Sequence, residues 1–219
     1  MRRLKLATCV SLDGVMQAPG GPTEDPTGGF PFGGWLPPFF DDTVGEFVGG
    51  ALGEDYDLLL GRKTYEIFAA HWGHSGDEMG ALFTRIAKYV AAGPDTPLNW
   101  NNSHRLEGDV AEAVAKLKSE GDRDLLIQGS GRLIQTLLKA NLIDDLTTLT
   151  FPVVLGTGKR LFEPGDHART WTLVETKHSP SGVVCSRYER AGEVRSGSFQ
   201  MNDPNEEEAA RQARMRREG

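Results

Sequence analysis

The sequence predicts an α/β domain: a mostly parallel, twisted sheet with helices on both faces and an antiparallel edge at its C-terminal end. Three observations predict it. Short apolar runs alternate with segments of helical period as far as about residue 145. Two of the runs end in a glycine just before a helix start, the order expected of parallel crossovers. The last two strand-like segments flank Ser179-Pro180-Ser181-Gly182, a turn sequence that pairs antiparallel neighbours.

The elements follow in order. Leu4 to Leu12 is a strand, with apolar residues mostly two apart. Asp13 to Phe40 is a long loop rich in Gly, Pro and aromatics; Phe30, Phe32, Trp35, Phe39 and Phe40 make it too aromatic for simple disorder, and it reads as a lid or binding loop. Thr43 to Leu52 is a helix whose Thr43 and Glu46 suit a capping box. Asp57 to Leu60 is a buried strand closed by Gly61, and Lys63 to Ala70 is the helix after it. Asp77 to Ile86 is helical, Lys88 to Ala92 is a strand, and Pro94 to Ser103 is loop. Asp109 to Glu120 is a helix capped by Asp109, with Glu112 completing the box and Gly121 ending it. Asp124 to Gln128 is a strand and Leu133 to Ala140 a helix. Leu146 to Leu155 is a strand bent at Pro152, because proline cannot donate to the ladder. Trp171 to His178 and Val183 to Arg190 form the final pair. Composition changes at Gly192, so the chain divides into a domain at 1–191 and a charged tail at 192–219. Asp203 to Arg217 reads as an exposed helix, with glutamates at its positive end and arginines at its negative end.

Bulk properties exclude several functions. The net charge of -7 argues against a nucleic-acid partner, which needs a basic face to release counterions. No apolar run approaches the ~20 residues of a membrane helix, and Met1-Arg2-Arg3-Leu4 lacks a signal-peptide core. The only cysteines, Cys9 and Cys185, both fall in strands and read as buried reduced thiols, which points to the cytoplasm. His71 and His74 find too few partners for a metal set.

Chemistry concentrates at two turns of one design. Leu60-Gly61-Arg62-Lys63-Thr64 and Gln128-Gly129-Ser130-Gly131-Arg132 each run from strand through glycine into helix. In a parallel sheet both lie at the carboxyl edge, where ligands bind. Helix starts offer free N–H groups and partial positive charge, so they hold anions. Gly129 and Gly131 allow close approach of a pyrophosphate, and Arg62 and Lys63 add full charges. Two anion sites on one edge suit NADPH. The Rossmann fingerprint is absent, since Ile134 stands where its third glycine belongs.

Four motifs carry a family resemblance: Ser11-Leu12-Asp13-Gly14, Leu60 to Glu66, Gln128 to Leu133, and Pro152-Val153-Val154-Leu155-Gly156-Thr157-Gly158-Lys159-Arg160-Leu161-Phe162. In that order they resemble the dihydrofolate reductase superfamily, in its branch of stand-alone proteins similar to the reductase (RibD C-terminal) domain of the riboflavin-biosynthesis deaminase/reductase. The resemblance covers about Lys5 to Arg190 and implies a dihydrofolate reductase-like three-layer sandwich. It implies that Gly61, Arg62, Lys63 and Thr64 contact the NADPH phosphates, that Gly129, Ser130, Gly131 and Arg132 hold the pyrophosphate, and that Leu133 and Ile134 flank it. Asp13 and Gly14 would lie by nicotinamide and substrate. Ala92-Gly93-Pro94 stands where relatives often carry Ser-x-Thr, so preference for NADPH over NADH rests on Arg62 and Lys63.

Asp13 is the expected catalytic acid, with a turn-forming role as the alternative for an Asp-Gly pair. Gly14, Trp35, Phe39 and Asp41 are the expected substrate contacts, Trp35 and Phe39 by stacking on a flat ring. Lid packing competes for the aromatics, and helix capping for Asp41. The deaminase patterns His-x-Glu and Pro-Cys-x-x-Cys do not occur. The expected activity is NADPH-dependent reduction of a small heterocyclic metabolite, as in reduction of 5-amino-6-(5-phosphoribosylamino)uracil. A pterin or dihydrofolate reductase and a non-catalytic nucleotide-binding paralogue are the alternatives. A homodimer is expected by resemblance.

Overall fold

The computed structural model describes every residue except 54, 166–167, 201–203 and 219. Eight strands form one sheet: β1 (Leu4–Ser11), β2 (Tyr56–Gly61), β3 (Lys88–Ala91), β4 (Ser103–Arg105), β5 (Asp124–Gln128), β6 (Asp145–Phe151), β7 (Thr170–His178) and β8 (Val184–Gly192). Their spatial order is β4-β3-β2-β5-β1-β6-β8-β7. The first six in that order are parallel, and β8 pairs antiparallel with both β6 and β7. This is the α/β sheet with an antiparallel edge that the sequence predicts.

The helices are α1 (Asp42–Leu52), α2 (Arg62–Trp72), α3 (Glu78–Arg85), α4 (Val110–Ser119), α5 (Gly131–Lys139) and α6 (Glu206–Glu218). Alternation along each strand divides the core between the two faces. Leu4, Leu6 and Val10 of β1 pack under α4 and α5 with Val114, Ile134 and Leu137. Ala7 points the other way, toward Tyr65 of α2 and Phe83 of α3. Cys9 joins it on that side, against Val44 and Phe47 of α1. The helix layer over the α4/α5 face stops at β1 and β6, and β8 and β7 are bare there.

Four sequence expectations need correction. β4 was not expected: the sequence predicts a loop ending at Ser103 and assigns the next two residues no element, because three residues with no apolar alternation leave no strand signal. The cap of α1 is Asp41, not Thr43: Asp41 is extended and its carboxylate accepts from Val44 N at 3.0 Å, so Thr43 is already helical. β6 ends at Phe151, and the residues after Pro152 turn into a long loop instead of extending the strand. The tail helix starts behind Asn205, which accepts from Glu208 N at 2.9 Å; its expected start at Asp203 lies outside the described residues. No helix among the described residues is long and apolar enough to cross a membrane.

The edge where the parallel strands begin is closed by ion pairs. Arg2 binds Asp57, Arg3 binds Asp145 at 2.6 Å, Lys5 binds Asp124 at 2.8 Å, and both Lys118 and Arg190 reach Asp144. Arg2 and Asp57 are both buried, so losing Asp57 would strand the Arg2 charge in the interior, whereas Asp57 also has Arg123 at 3.3 Å. These carboxylates have their counter-ions within the fold, which leaves the opposite edge for ligand chemistry.

Candidate functional site

Neighbouring parallel strands end on the same edge, so α2 and α5 begin side by side there. Gly61 N donates to Ser130 Oγ at 2.9 Å, joining the two turns. Ser130 is left-handed (φ 67°, ψ 50°), and its hydroxyl is spent on Gly61 instead of capping its own helix. Gly129 is also left-handed (φ 61°), and a Cβ there would lie 3.2 Å from Thr64 Oγ1. Glycine at 129 is therefore favoured both by conformation and by the close approach of α2.

The result is a contrast among the helix starts. Asp41, Asp77 and Asp109 cap α1, α3 and α4 through their side chains. Gly61 and Ser130 give α2 and α5 no side-chain cap. The first-turn N–H groups of these two helices keep their hydrogen-bonding capacity, and their dipoles add partial positive charge. Space is open beside Gly131, where an added Cβ would meet nothing within 4 Å. This cradle fits phosphate oxygens.

Two of the three charged side chains around it are in ion pairs. Arg62 places both carboxylate oxygens of Glu66 at 2.8 Å. Lys63 Nζ lies 3.6 Å from Asp25 in the long loop. Arg132 is exposed on the first turn of α5 and forms no salt bridge among the described residues. Thr64 is buried beside Gly129. Leu133 and Ile134, expected to flank a cofactor, are both buried in the core under α5, Ile134 completely; their side chains pack inward, and only the backbone of Leu133 belongs to the helix start.

The loop from Asp13 to Phe40 is locked to the loop after β6. Backbone bonds run from Leu12 N to Val153 O, Met16 N to Lys159 O and Leu161 N to Gly14 O. Gln17 is buried within it, donating to Asp25 O and Thr27 O and accepting from Lys159 N. Asp13 is the clasp. It accepts from Ser11 Oγ at 2.6 Å, Leu155 N at 3.1 Å and Gly156 N at 3.0 Å, and pairs with Arg160 at 3.1 Å. The Ser11 hydroxyl leads these donors in holding its carboxyl at about 2. At neutral pH it is a carboxylate with no proton to give.

The expected stacking residues are elsewhere. Trp35 is 6% exposed, donates to Gln17 O at 2.8 Å and sits edge-on to Phe151. Phe39 packs edge-on to the same ring. Trp35 is a core side chain of the lid, while Phe39 is half-buried against the same cluster. Asp41 caps α1 with one oxygen and accepts from Ser181 N with the other. Burial opposes its ionisation, but bonds from Val44, Ser181 and Ser179 outweigh it and hold the carboxyl below its usual range. Its role in this structure is a helix cap that also pins the β7–β8 turn. Gly14 alone of this group lines open space. A cavity of about 330 Å³ runs from Ser11, Leu12 and Gly14 past Leu161 and Phe162 to Trp171 and Tyr188. Residues of β6 and β8 line it, and no residue of the α2 or α5 starts does.

Sequence reading missed Gln17, Asp25, Lys159, Arg160 and Arg105. The motif around Gly156 to Phe162 marked Lys159 and Arg160 without assigning their work. Arg105 of β4 donates to the carbonyls of Ala92, Gly93 and Thr96, and so holds the turn at Ala92-Gly93-Pro94.

The family described as RibD C-terminal domain matches residues 2–185 of the chain. The uncharacterized protein YyaP of Bacillus subtilis (strain 168) is 27% identical over 192 residues, 84% of this chain and 92% of that protein. A crystal structure of a putative riboflavin biosynthesis protein from Shewanella sp. PV-4 superposes with a TM-score of 0.57 at 19% identity, over 86% of this chain and 99% of the other. Dihydrofolate reductase from Enterococcus faecalis, complexed with NADP(H) and RAB-propyl, superposes with a TM-score of 0.54 at 16% identity, over 86% and 96%.

Proposed function

The chain belongs to the RibD C-terminal domain family, and from that premise we propose that it is an NADPH-dependent reductase of a small heterocyclic metabolite, of the kind typified by 5-amino-6-(5-phosphoribosylamino)uracil. The observation that carries the reading is the pair of adjoining helix starts, α2 and α5, left without side-chain caps while α1, α3 and α4 are capped by aspartate. Two such sites on one carboxyl edge suit a ligand with a pyrophosphate and a separate phosphate. NADP(H) in the Enterococcus faecalis reductase of the same fold supports the choice of nucleotide.

In this proposal the N–H groups of Arg62, Lys63 and Thr64, and of Gly131, Arg132 and Leu133, bind phosphate oxygens. Arg62, Lys63 and Arg132 supply charge at the rim. The nucleotide supplies the hydride. Asp13 acts as a positioning residue that fixes the turn after β1 to the loop after β6. The proton for the product then comes from water or from the substrate's own acidic group. Free Cys9 and Cys185 suit a reducing compartment, the cytoplasm.

A nucleotide-binding protein without turnover is the second reading, favoured because Asp13, Trp35, Phe39 and Asp41 are all committed to structure. The assay is NADPH consumption with ribosylamino-pyrimidine phosphates and pterins. Consumption that needs both partners supports the reductase. Tight NADPH binding without consumption in any of them supports the second reading.

The expected homodimer belongs to the proposal. On the bare face, the rows Leu146–Tyr188–Leu173, Thr148–Ser186–Thr176 and Thr150–Val184–His178 contain no carboxylate, lysine or arginine. Three strands of this length span about 14 Å by 30 Å. Leu173 (51% exposed) and Phe162 (50% exposed) enlarge the apolar area. A second copy meets the requirement best, because an uncharged sheet face packs on its own twofold mate without unpaired charge.

A further inference from the structure

We propose that Asp25 is a loop-borne counter-ion that competes with the ligand's phosphate for Lys63 and thereby sets the protein's discrimination between phosphorylated and unphosphorylated nucleotides. The inference rests on the nucleotide reading above.

Asp25 lies on the long loop yet reaches two cations that belong to other parts of the fold. Lys63, on the first turn of α2, is 3.6 Å from one oxygen. Lys159, in the loop after β6, binds the other, and its Nζ also donates to Thr27 Oγ1 at 2.8 Å. Thr27 donates to Asp25 from its hydroxyl at 2.5 Å. The carboxylate is only 18% exposed although both lysines are half-exposed. It is therefore fixed in place by the loop, whereas Lys63 can swing.

An anion seated at the start of α2 draws on the same ammonium group. Lys63 must leave Asp25 to meet it, and the fixed Asp25 carboxylate stays close enough to repel a dianion. Because Lys159 and Thr27 keep Asp25 in position, the loop does not have to open for this exchange. The cost falls on ligands that carry a phosphate to Lys63. A nucleotide without that phosphate leaves the Lys63–Asp25 pair undisturbed.

The test is titration of the full-length protein and its D25N variant with NADPH and with NADH, at low and at high salt. D25N is expected to bind NADPH roughly 2- to 5-fold more tightly, the range of an exposed ion pair. NADH affinity should stay within error, and the gain should shrink at high salt. K159M keeps the Lys63–Asp25 pair while loosening the loop, and should not tighten NADPH. Equal loss of both nucleotides in D25N would show a purely structural role and overturn the inference, as would NADPH affinity unchanged from the native protein. If neither nucleotide binds the native protein or D25N, the nucleotide reading itself fails and the inference falls with it.

Discussion

At the scale of single residues, Asp13 and Gly129 decide how the site is built. Asp13 has its folded pKa lowered to about 2 from 3.8, chiefly by the Ser11 hydroxyl and then by N–H donors of the loop it grips. A lowered folded pKa means that its contribution to stability is complete above about 4 and is lost as pH falls toward 2. Urea unfolding between those limits should show the native protein losing stability faster than Asp13→Asn, which lacks the titrating group. Parallel curves would contradict the clasp. The same chemistry predicts that Asp13→Asn leaves no inflection missing from the pH–rate profile near neutrality. Gly129→Ala should cost about 1–2 kcal/mol for the left-handed backbone alone. It should also weaken NADPH binding, because the new methyl group pushes on Thr64. Thermal unfolding with a nucleotide titration on the same sample checks both effects. Sequence reading identified Asp13 and Gly129 as important and left the choice between catalytic and turn-forming Asp13 open. An Asp-Gly pair reads identically either way; only the four partners, three of them more than 140 residues distant in sequence, distinguish them.

At the scale of elements, the helix caps separate stability from binding. Asp109→Ala removes the cap of α4, whose start follows β4, two strands over from β2, and should cost about 1 kcal/mol without changing NADPH affinity. Ser130→Ala removes the bond to Gly61 and should lower affinity, because it lets the two helix starts drift apart. Chemical denaturation and nucleotide titration of both variants test the division; equal effects of the two on affinity would refute it. The caps were legible where a single candidate stood at the boundary, as at Asp109. At α1 two candidates lay two residues apart, and the Ser181 contact that favours Asp41 comes from the far end of the chain. Lys88 was legible as strand but not as buried. Its ammonium, pushed down to about 8 mainly by burial, donates to Phe83, Thr84 and Ile86 carbonyls at the end of α3, a three-way cap that no local pattern announces. Trp35 packs in the core where a ligand contact was expected for a related reason: an aromatic that packs in a core and one that stacks on a ring look alike in sequence.

At the scale of the molecule, the sheet separates its duties by edge and by face. The starting edge of the parallel strands is held by ion pairs, the finishing edge carries the uncapped helix starts, and the α4/α5 face ends short of β8 and β7. Leu173→Glu places a charge on the β7 edge of the bare face. Sedimentation should then report a monomer where the native protein is expected to sediment as a dimer, with the fold intact by circular dichroism. A native protein that sediments as a monomer would remove the interface. The parallel sheet and its order of elements were legible because strand and helix periods differ along the whole chain. The bare face was not, since β7 alternates less cleanly and carries a register shift between Leu173 and Glu175.

The central claim is that the starts of α2 and α5 form one nucleotide site. It is tested most directly by titrating the protein with NADPH and NADH while following the fluorescence of its four tryptophans, and repeating this with Arg62→Gln and Lys63→Gln combined. The account predicts saturable binding, tighter for NADPH, with the double variant weakened about tenfold toward NADPH, as expected for two charge-assisted contacts. Absence of binding by either nucleotide, or a double variant that binds NADPH as the native protein does, would contradict it.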